Sequence, residues 1–433
     1  MNVRADLFGT VASHRPAVLL VGMVLIRMAA FLLLLKVLAH SFGADGFGPI
    51  SQVIAITALF AVLAGGGVMN GIIRNVAAAQ DDEERTAWIR AALPVAAVVG
   101  LALGVFAVVL HLFARDHIFP GSLDVGPVLL FIAAAQFVVG FGNVALAWLS
   151  GTGRTGAFAL AQAGGAVLAS VAIAALALRQ DMAAVAAACT LIALFPAGIA
   201  MVLAGSDVPW SAFWRSFDGK RIRIMLRFGL TMVVAVVAVP SAWIWIRADL
   251  AVAAGWEQVG LWQSVQRLSE AYMQIFGALF VNHGLPRMAR AGAADWRSGL
   301  RETAVLVAVL FAAGAVVLLS FDELVLRLAF NAEFVGASVF VGPQLLGDGL
   351  KLASLCCVYA LVSLNRPGAH ALTEVVQAIV LVTVYTVLLE AEGSLAPVQA
   401  YIVSAAATLL LAAFFLWRAA ARTAAVPAAK VET

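Results

Sequence analysis

Charge is what this chain lacks most. Only 12% of its 433 residues are Asp, Glu, Lys or Arg, where a soluble globular domain carries about 25%. Set beside 63% hydrophobic residues, that deficit excludes a water-soluble fold. Cysteine is scarce: Cys189, Cys356 and Cys357 lie in apolar runs without a spaced partner for a zinc site. Neighbours on a helix point about 100° apart, so a Cys356–Cys357 bridge is not expected and all three read as small packing residues. No Gly-rich phosphate loop runs into Lys-Ser/Thr, and no metal-ligand cluster forms a motif. The six His (14, 40, 111, 117, 283, 370) are scattered. No nucleophile stands at a strand-to-helix turn. These absences point away from an enzyme, a cofactor, a metal or a nucleic-acid partner.

What is present is a series of apolar runs, each long enough to cross ~30 Å of hydrocarbon. They fall near 16–41, 47–78, 88–113, 125–150, 155–178, 182–204, 224–249, 259–283, 300–321, 337–363, 369–389 and 396–418. The first shows no small-residue cleavage site after a short apolar core, so it is expected to be a span rather than a cleaved signal. The second is longer than one crossing needs and is expected to project into the cytoplasm. Most loops are too short to hide a soluble catalytic domain. The longest polar connection, about 205–223, carries Trp210, Trp214, Arg215, Lys220, Arg221 and Arg223 and reads as an amphipathic surface linker. The expected fold class is an all-α membrane protein of about twelve transmembrane helices. Its parts are a six-helix lobe over 1–205, a cytoplasmic linker over 206–223, and a six-helix lobe over 224–433 with a short cytoplasmic tail.

Orientation follows the basic residues. With the N-terminus and even-numbered connections on one side, that side holds 19 of the 27 Lys and Arg, the other holds 5, and Arg27, Arg267 and Lys351 lie within spans. Adding or losing one span in the middle scrambles this imbalance, so both termini are expected in the cytoplasm of a bacterial inner-membrane protein.

Ionisable residues within spans cost roughly 2.5–3.5 kcal/mol on insertion scales, which a polar cavity explains best. Gln263, Gln266, Arg267, Glu270 and Gln274 share one helical face. Gln344, Asp348 and Lys351 form a second stripe, and His370, Glu374 and Gln377 a third. Arg27 sits near mid-depth of the first span with no acid within a turn. Plainer readings stand beside these. Asp348 with Lys351, and Arg267 with Glu270, are spaced to pair with each other. Lys36 is placed to snorkel, Arg74 to sit at the interface, and Arg247 with Asp249 to mark a span's end. Pro196, Pro240 and Gly65–Gly67 are places for a bend or for close packing. A shift of 212 residues lays the second span on the eighth, pairing Gly48 with Gly260, Gly65 with Gly277 and Asn70 with Asn282. The matched Asn residues are the informative pair, since transporters often build a central site between two repeats.

Residues 256–287, WEQVGLWQSVQRLSEAYMQIFGALFVNHGLPR, resemble the bacterial Wzx-type polysaccharide flippases. SFGADGFG (41–48), AGGGVMNG (64–71), QLLGDGLK (344–351) and TEVVQA (373–378) add to that likeness in the expected order. The resemblance implies two six-helix lobes in a V. It also implies a cavity receiving an undecaprenyl-pyrophosphate-linked oligosaccharide, which alternating access carries to the periplasmic leaflet for surface polysaccharide assembly. It places polar or charged groups at Arg27, Lys36, Asn70, Arg74, Arg247, Glu270, Asp348, Lys351 and Glu374; Asn282 joins them through the repeat. Arg267 matches no charged position of the family. Arg27 and Arg247, with Lys351, would hold pyrophosphate; Glu270, Asp348 and Glu374 would balance charge and take a proton or cation. The partners implied are the lipid-linked oligosaccharide, membrane lipids, a coupling ion (proton or sodium) and polymerase machinery. The competing readings are a cation-coupled multidrug antiporter of the same superfamily and, from another class, a membrane glycosyltransferase or polymerase, which the short loops disfavour.

Overall fold

The structure is a computed structural model that describes residues 3–65, 69–122, 125–210, 218–290, 292–364 and 368–424. The side chains of Asn70 and Asn282 lie outside the described residues, as do Gly66, Gly67 and linker residues 211–217. The helices run in the order α1 (Val3–Ala64), α2 (Met69–Ala78), α3 (Asp82–Phe113), α4 (Arg115–Ile118), α5 (Val128–Gly151), α6 (Thr155–Ala177), α7 (Met182–Ala188), α8 (Leu191–Ala204), α9 (Gly219–Leu279), α10 (Leu285–Arg290), α11 (Gly292–Ser320), α12 (Asp322–Ala329), α13 (Ser338–Ser363), α14 (Gly368–Glu392) and α15 (Ala396–Ala424). There are two compact units, Met1–Val233 and Val234–Thr433.

Nine helical stretches among the described residues are long and apolar enough to cross a membrane. Three of them, of 47, 44 and 54 residues, have at least twice the length that ~30 Å of hydrocarbon needs. Each is broken. Gly43 interrupts α1 with φ 62°, ψ −170°, and Gly255 interrupts α9 with φ 86°, ψ 162°. The turn Gly393–Leu395 separates α14 from α15. Both glycines occupy a backbone region that side chains forbid, so each ends one helical arm and starts the next. The break in α9 at Gly255 falls in the connection expected between the runs 224–249 and 259–283, while Pro240 stays inside the helix. The second run, expected to be continuous over 47–78, ends at Ala64 and resumes as the short α2.

The backbone repeats with the shift read from the sequence. Gly255 lies 212 residues after Gly43. The end of α13, Ser363, lies 212 residues after the end of α5, Gly151.

In the first unit α5 is the central helix. Val144, Ala145, Trp148 and Leu149 pack against Ala92, Leu93 and Ala96 of α3, Ile72 and Val76 of α2, and Ala200 and Ala204 of α8. Asn143 of α5 donates to the carbonyl of Ala61 at 2.9 Å, satisfying one of the last-turn carbonyls of α1. A Cβ at Gly165 of α6 would lie 2.4 Å from the Pro196 nitrogen of α8, so the two backbones touch directly there. α3 begins with Asp81, whose carboxylate accepts from the Glu84 amide at 2.7 Å. α9 begins likewise with Asp218, which accepts from the Lys220 and Arg221 amides at 3.1 Å each. Those bonds, with the Arg221 guanidinium, hold the Asp218 carboxyl below the usual carboxylate range.

In the second unit α13 packs against α11 and α15, and α14 against α15. Outward-facing Val252, Val387 and Leu410 are each more than 70% exposed, a surface suited to acyl chains rather than water.

Candidate functional site

The polar stripes of the second unit converge on its interior. The bend at Gly255 folds α9 back on itself, so that Trp243 of the first arm meets Trp262 of the second with ring centroids 5.4 Å apart. That brings Arg247 within electrostatic range of Arg267 and Glu270. Arg247 and Arg267 are 3% and 5% exposed. Arg267 Nη1 lies 2.7 Å from Glu270 Oε2, the spaced pair expected from the sequence. Gln263 donates to Gln266 one turn earlier on the same face. Arg247, Arg267 and Glu270 thus form one interacting charged group inside the unit.

Asp348 of α13 is 1% exposed and ties three helices together. Its Oδ2 accepts from Ser269 Oγ at 2.7 Å and from the Tyr272 hydroxyl, both on α9. Its Oδ1 accepts from Tyr401 of α15 at 2.9 Å and from Gln344 Nε2 at 3.2 Å. Four donors offset the loss of water around this carboxylate. Gly347 makes the Tyr401 bond reachable: a Cβ there would lie 2.5 Å from the tyrosine ring. Sequence reasoning identified Asp348 and Gln344 but not Ser269, Tyr272 or Tyr401. A signal existed. The chain has four tyrosines, none before residue 272; two donate to Asp348, and Tyr385 donates to Asp249 at 3.0 Å.

The Asp348–Lys351 pair that their spacing allows does not form. Lys351 Nζ turns to α14, 3.0 Å from Glu374 Oε1 and 2.5 Å from Gln377 Oε1. Donors from neighbouring helices already occupy both Asp348 oxygens, so the ammonium finds its counterion across the α13–α14 contact. His370 Nδ1 stands 3.8 Å from the same Glu374 oxygen.

In the first unit Arg27 and Lys36 lie nine residues apart on α1, half a turn out of phase. Arg27 shares a face with Met23 and Leu34, both buried, yet is itself exposed. Lys36 shares a face with exposed Leu25 and Leu33, which suits the snorkelling reading. Arg74 of α2 is exposed. At the repeat positions of Ser269 and Asp348 the first unit has Thr57 and Gln136, 4% and 3% exposed. The buried carboxylate therefore has a neutral counterpart there. Among the described residues no three His, Cys, Asp or Glu come together as metal ligands.

Comparison with known proteins identifies the chain's relatives. The lipid III flippase of Escherichia coli (strain K12) is 27% identical over 409 residues, covering 91% of this chain and 96% of that protein. The lipid III flippase of Shigella flexneri matches to the same extent. Among solved structures, the inward closed conformation of the lipid II flippase MurJ superposes with TM-score 0.71 at 10% identity, over 94% of this chain and 90% of that one. An inward-facing multidrug resistance MATE family transporter of the MOP superfamily gives TM-score 0.68 at 14% identity, over 92% and 94%. These likenesses show the fold, that of a helical, multi-pass membrane protein. A profile of one family, described as polysaccharide biosynthesis protein, matches residues 16–291, more than half of the chain, and the chain belongs to that family.

Proposed function

We propose that this protein is a flippase. It carries an undecaprenyl-pyrophosphate-linked oligosaccharide from the cytoplasmic to the periplasmic leaflet of the bacterial inner membrane by alternating access, for cell-surface polysaccharide assembly. The observation that carries this reading is the alignment with the Escherichia coli lipid III flippase through nearly the full length of both chains. The nine candidate stretches, three of them broken in two, support twelve crossings, and the basic-residue asymmetry supports cytoplasmic termini.

Within this reading Arg27, Arg247 and Lys351 hold the pyrophosphate. Guanidinium forks match phosphate oxygens, and a low-dielectric surround strengthens the attraction. Glu270, Asp348 and Glu374 balance those cations and take up the coupling proton or sodium ion. Lys36, Asn70, Arg74 and Asn282 complete the polar lining along which the glycan passes, while the prenyl chain remains in lipid. Polymerase machinery receives the product.

The MATE-like fold favours a second reading, a cation-coupled multidrug antiporter. Complementation separates the two. Strains each lacking one lipid-linked oligosaccharide flippase are expected to regain surface polysaccharide in at least one case, whereas restored drug resistance without any such rescue would replace the flippase by the antiporter. In proteoliposomes, Arg27→Glu is expected to reduce translocation at least a hundredfold while membrane insertion and thermal stability stay at wild-type levels. Undiminished translocation by that variant removes Arg27 from the site.

A further inference from the structure

One carboxylate oxygen serves two basic side chains. Glu374 Oε1 lies 3.0 Å from Lys351 Nζ and 3.8 Å from His370 Nδ1. His370 is one helical turn before Glu374 on α14. Its Nδ1 is buried and makes no hydrogen bond among the described residues, while the side chain as a whole is 36% exposed. One side of the ring is thus open to a proton donor, and the other faces a carboxylate already engaged by an ammonium.

We propose that His370 is a proton-responsive positioning residue that controls the pairing of Lys351. A proton taken up from water makes the imidazole a cation. The ring then closes on Glu374 Oε1 and competes with Lys351 for it. Lys351 keeps only the neutral Gln377 oxygen, 2.5 Å away, and becomes available to another anion. Loss of the proton restores the Lys351–Glu374 pair. The groups that set this balance come from three helices. Glu374 on α14 favours the imidazolium. Lys351 on α13 opposes it. Tyr401 on α15 acts electrostatically on Glu374 while bonded to Asp348. The exchange is followed from pH 5.5 to 7.5, within the range in which a histidine ordinarily changes charge. The role assigned to the released ammonium, pyrophosphate binding, rests on the flippase reading; the three-residue linkage does not.

Two measurements test it. In purified protein with isotope-labelled histidine, the His370 imidazole resonance is assigned by its loss in His370→Gln and followed against pH. Its midpoint is expected to move by at least half a pH unit, downward in Glu374→Gln and upward in Lys351→Gln. A midpoint unmoved in both variants overturns the proposal. In proteoliposomes carrying a lipid-linked oligosaccharide, wild-type translocation is expected to change at least threefold between pH 5.5 and 7.5. His370→Gln should flatten that profile, and His370→Lys, a permanent cation, should hold it at the acid value. Parallel profiles for wild type and both variants overturn the proposal. Coupled midpoints without translocation by wild type at any pH uphold the linkage and overturn the flippase reading instead.

Discussion

Asp348 carries more hydrogen bonds than any other carboxylate described for this chain, and the consequences of removing it differ from those of removing its partners. Asp348→Ala leaves the Ser269, Tyr272 and Tyr401 hydroxyls without their acceptor, at about 1–3 kcal/mol for each group left unpaired, while Gln344 Nε2 keeps Ser269 Oγ at 3.3 Å. A clear fall in thermal stability in detergent is therefore expected. Tyr401→Phe removes one donor and is expected to cost about 0.5–1.5 kcal/mol. Gly347→Ala should act through the same contact, because its methyl group displaces the Tyr401 ring. Thermal unfolding of the double variant checks this: the losses from Gly347→Ala and Tyr401→Phe should be less than additive. The apolar runs made Asp348, Lys351 and Glu374 conspicuous in the sequence, but not their pairing. A spacing of three says that two side chains of one helix can meet; which one a third helix claims depends on packing that no local pattern encodes. Arg267 and Glu270 do meet, as their spacing on one helix allows.

At the level of the helix, the positions and lengths of the apolar segments were legible, because hydrocarbon thickness sets them. Both bends fall in connections that the runs already marked, Gly43 between 16–41 and 47–78 and Gly255 between 224–249 and 259–283. What the runs did not show is that one glycine at positive φ makes each turn. Gly43→Ala and Gly255→Ala are each expected to destabilise the protein by about 1–3 kcal/mol, the usual cost of forcing a side chain into such a backbone conformation. Wild-type melting temperatures in both would show that the bends tolerate a Cβ. The start of α9 offers a pH-dependent counterpart. Because Asp218 is held below the ordinary carboxylate range, the stability it lends is complete above the unfolded value, near 3.9, and is lost as the pH falls through the lower folded value. Amide exchange at Lys220 and Arg221, compared with Asp218→Ala, should therefore differ at neutral pH and converge in strong acid.

For the whole molecule, the helical, membrane-spanning character followed from composition together with the lengths of the apolar runs, and the family is shown by the profile match. The sidedness inferred from the basic residues makes a direct prediction. A fluorescent protein fused to the C-terminus should fold and fluoresce, and alkaline phosphatase fused there should be inactive. The reverse pattern would put the C-terminus in the periplasm and overturn the inferred sidedness. The division of labour between the two units was not legible, because the first unit matches the second in backbone while replacing its ionisable groups. Only placing Gln136 beside Asp348 and Thr57 beside Ser269 in the repeat reveals that substitution.

The shared 212-residue register between Gly43 and Gly255 bears on ancestry. That match, with the helix ends at Gly151 and Ser363, is what a tandem copy of one ancestral segment leaves behind. Between those landmarks neither copy has gained or lost net length, since one residue added within a helix turns everything beyond it by about 100°. Selection has thus acted on frame and on side chains separately. The copies kept their common scaffold while their chemistry diverged, leaving a carboxylate at position 348 and an amide at position 136.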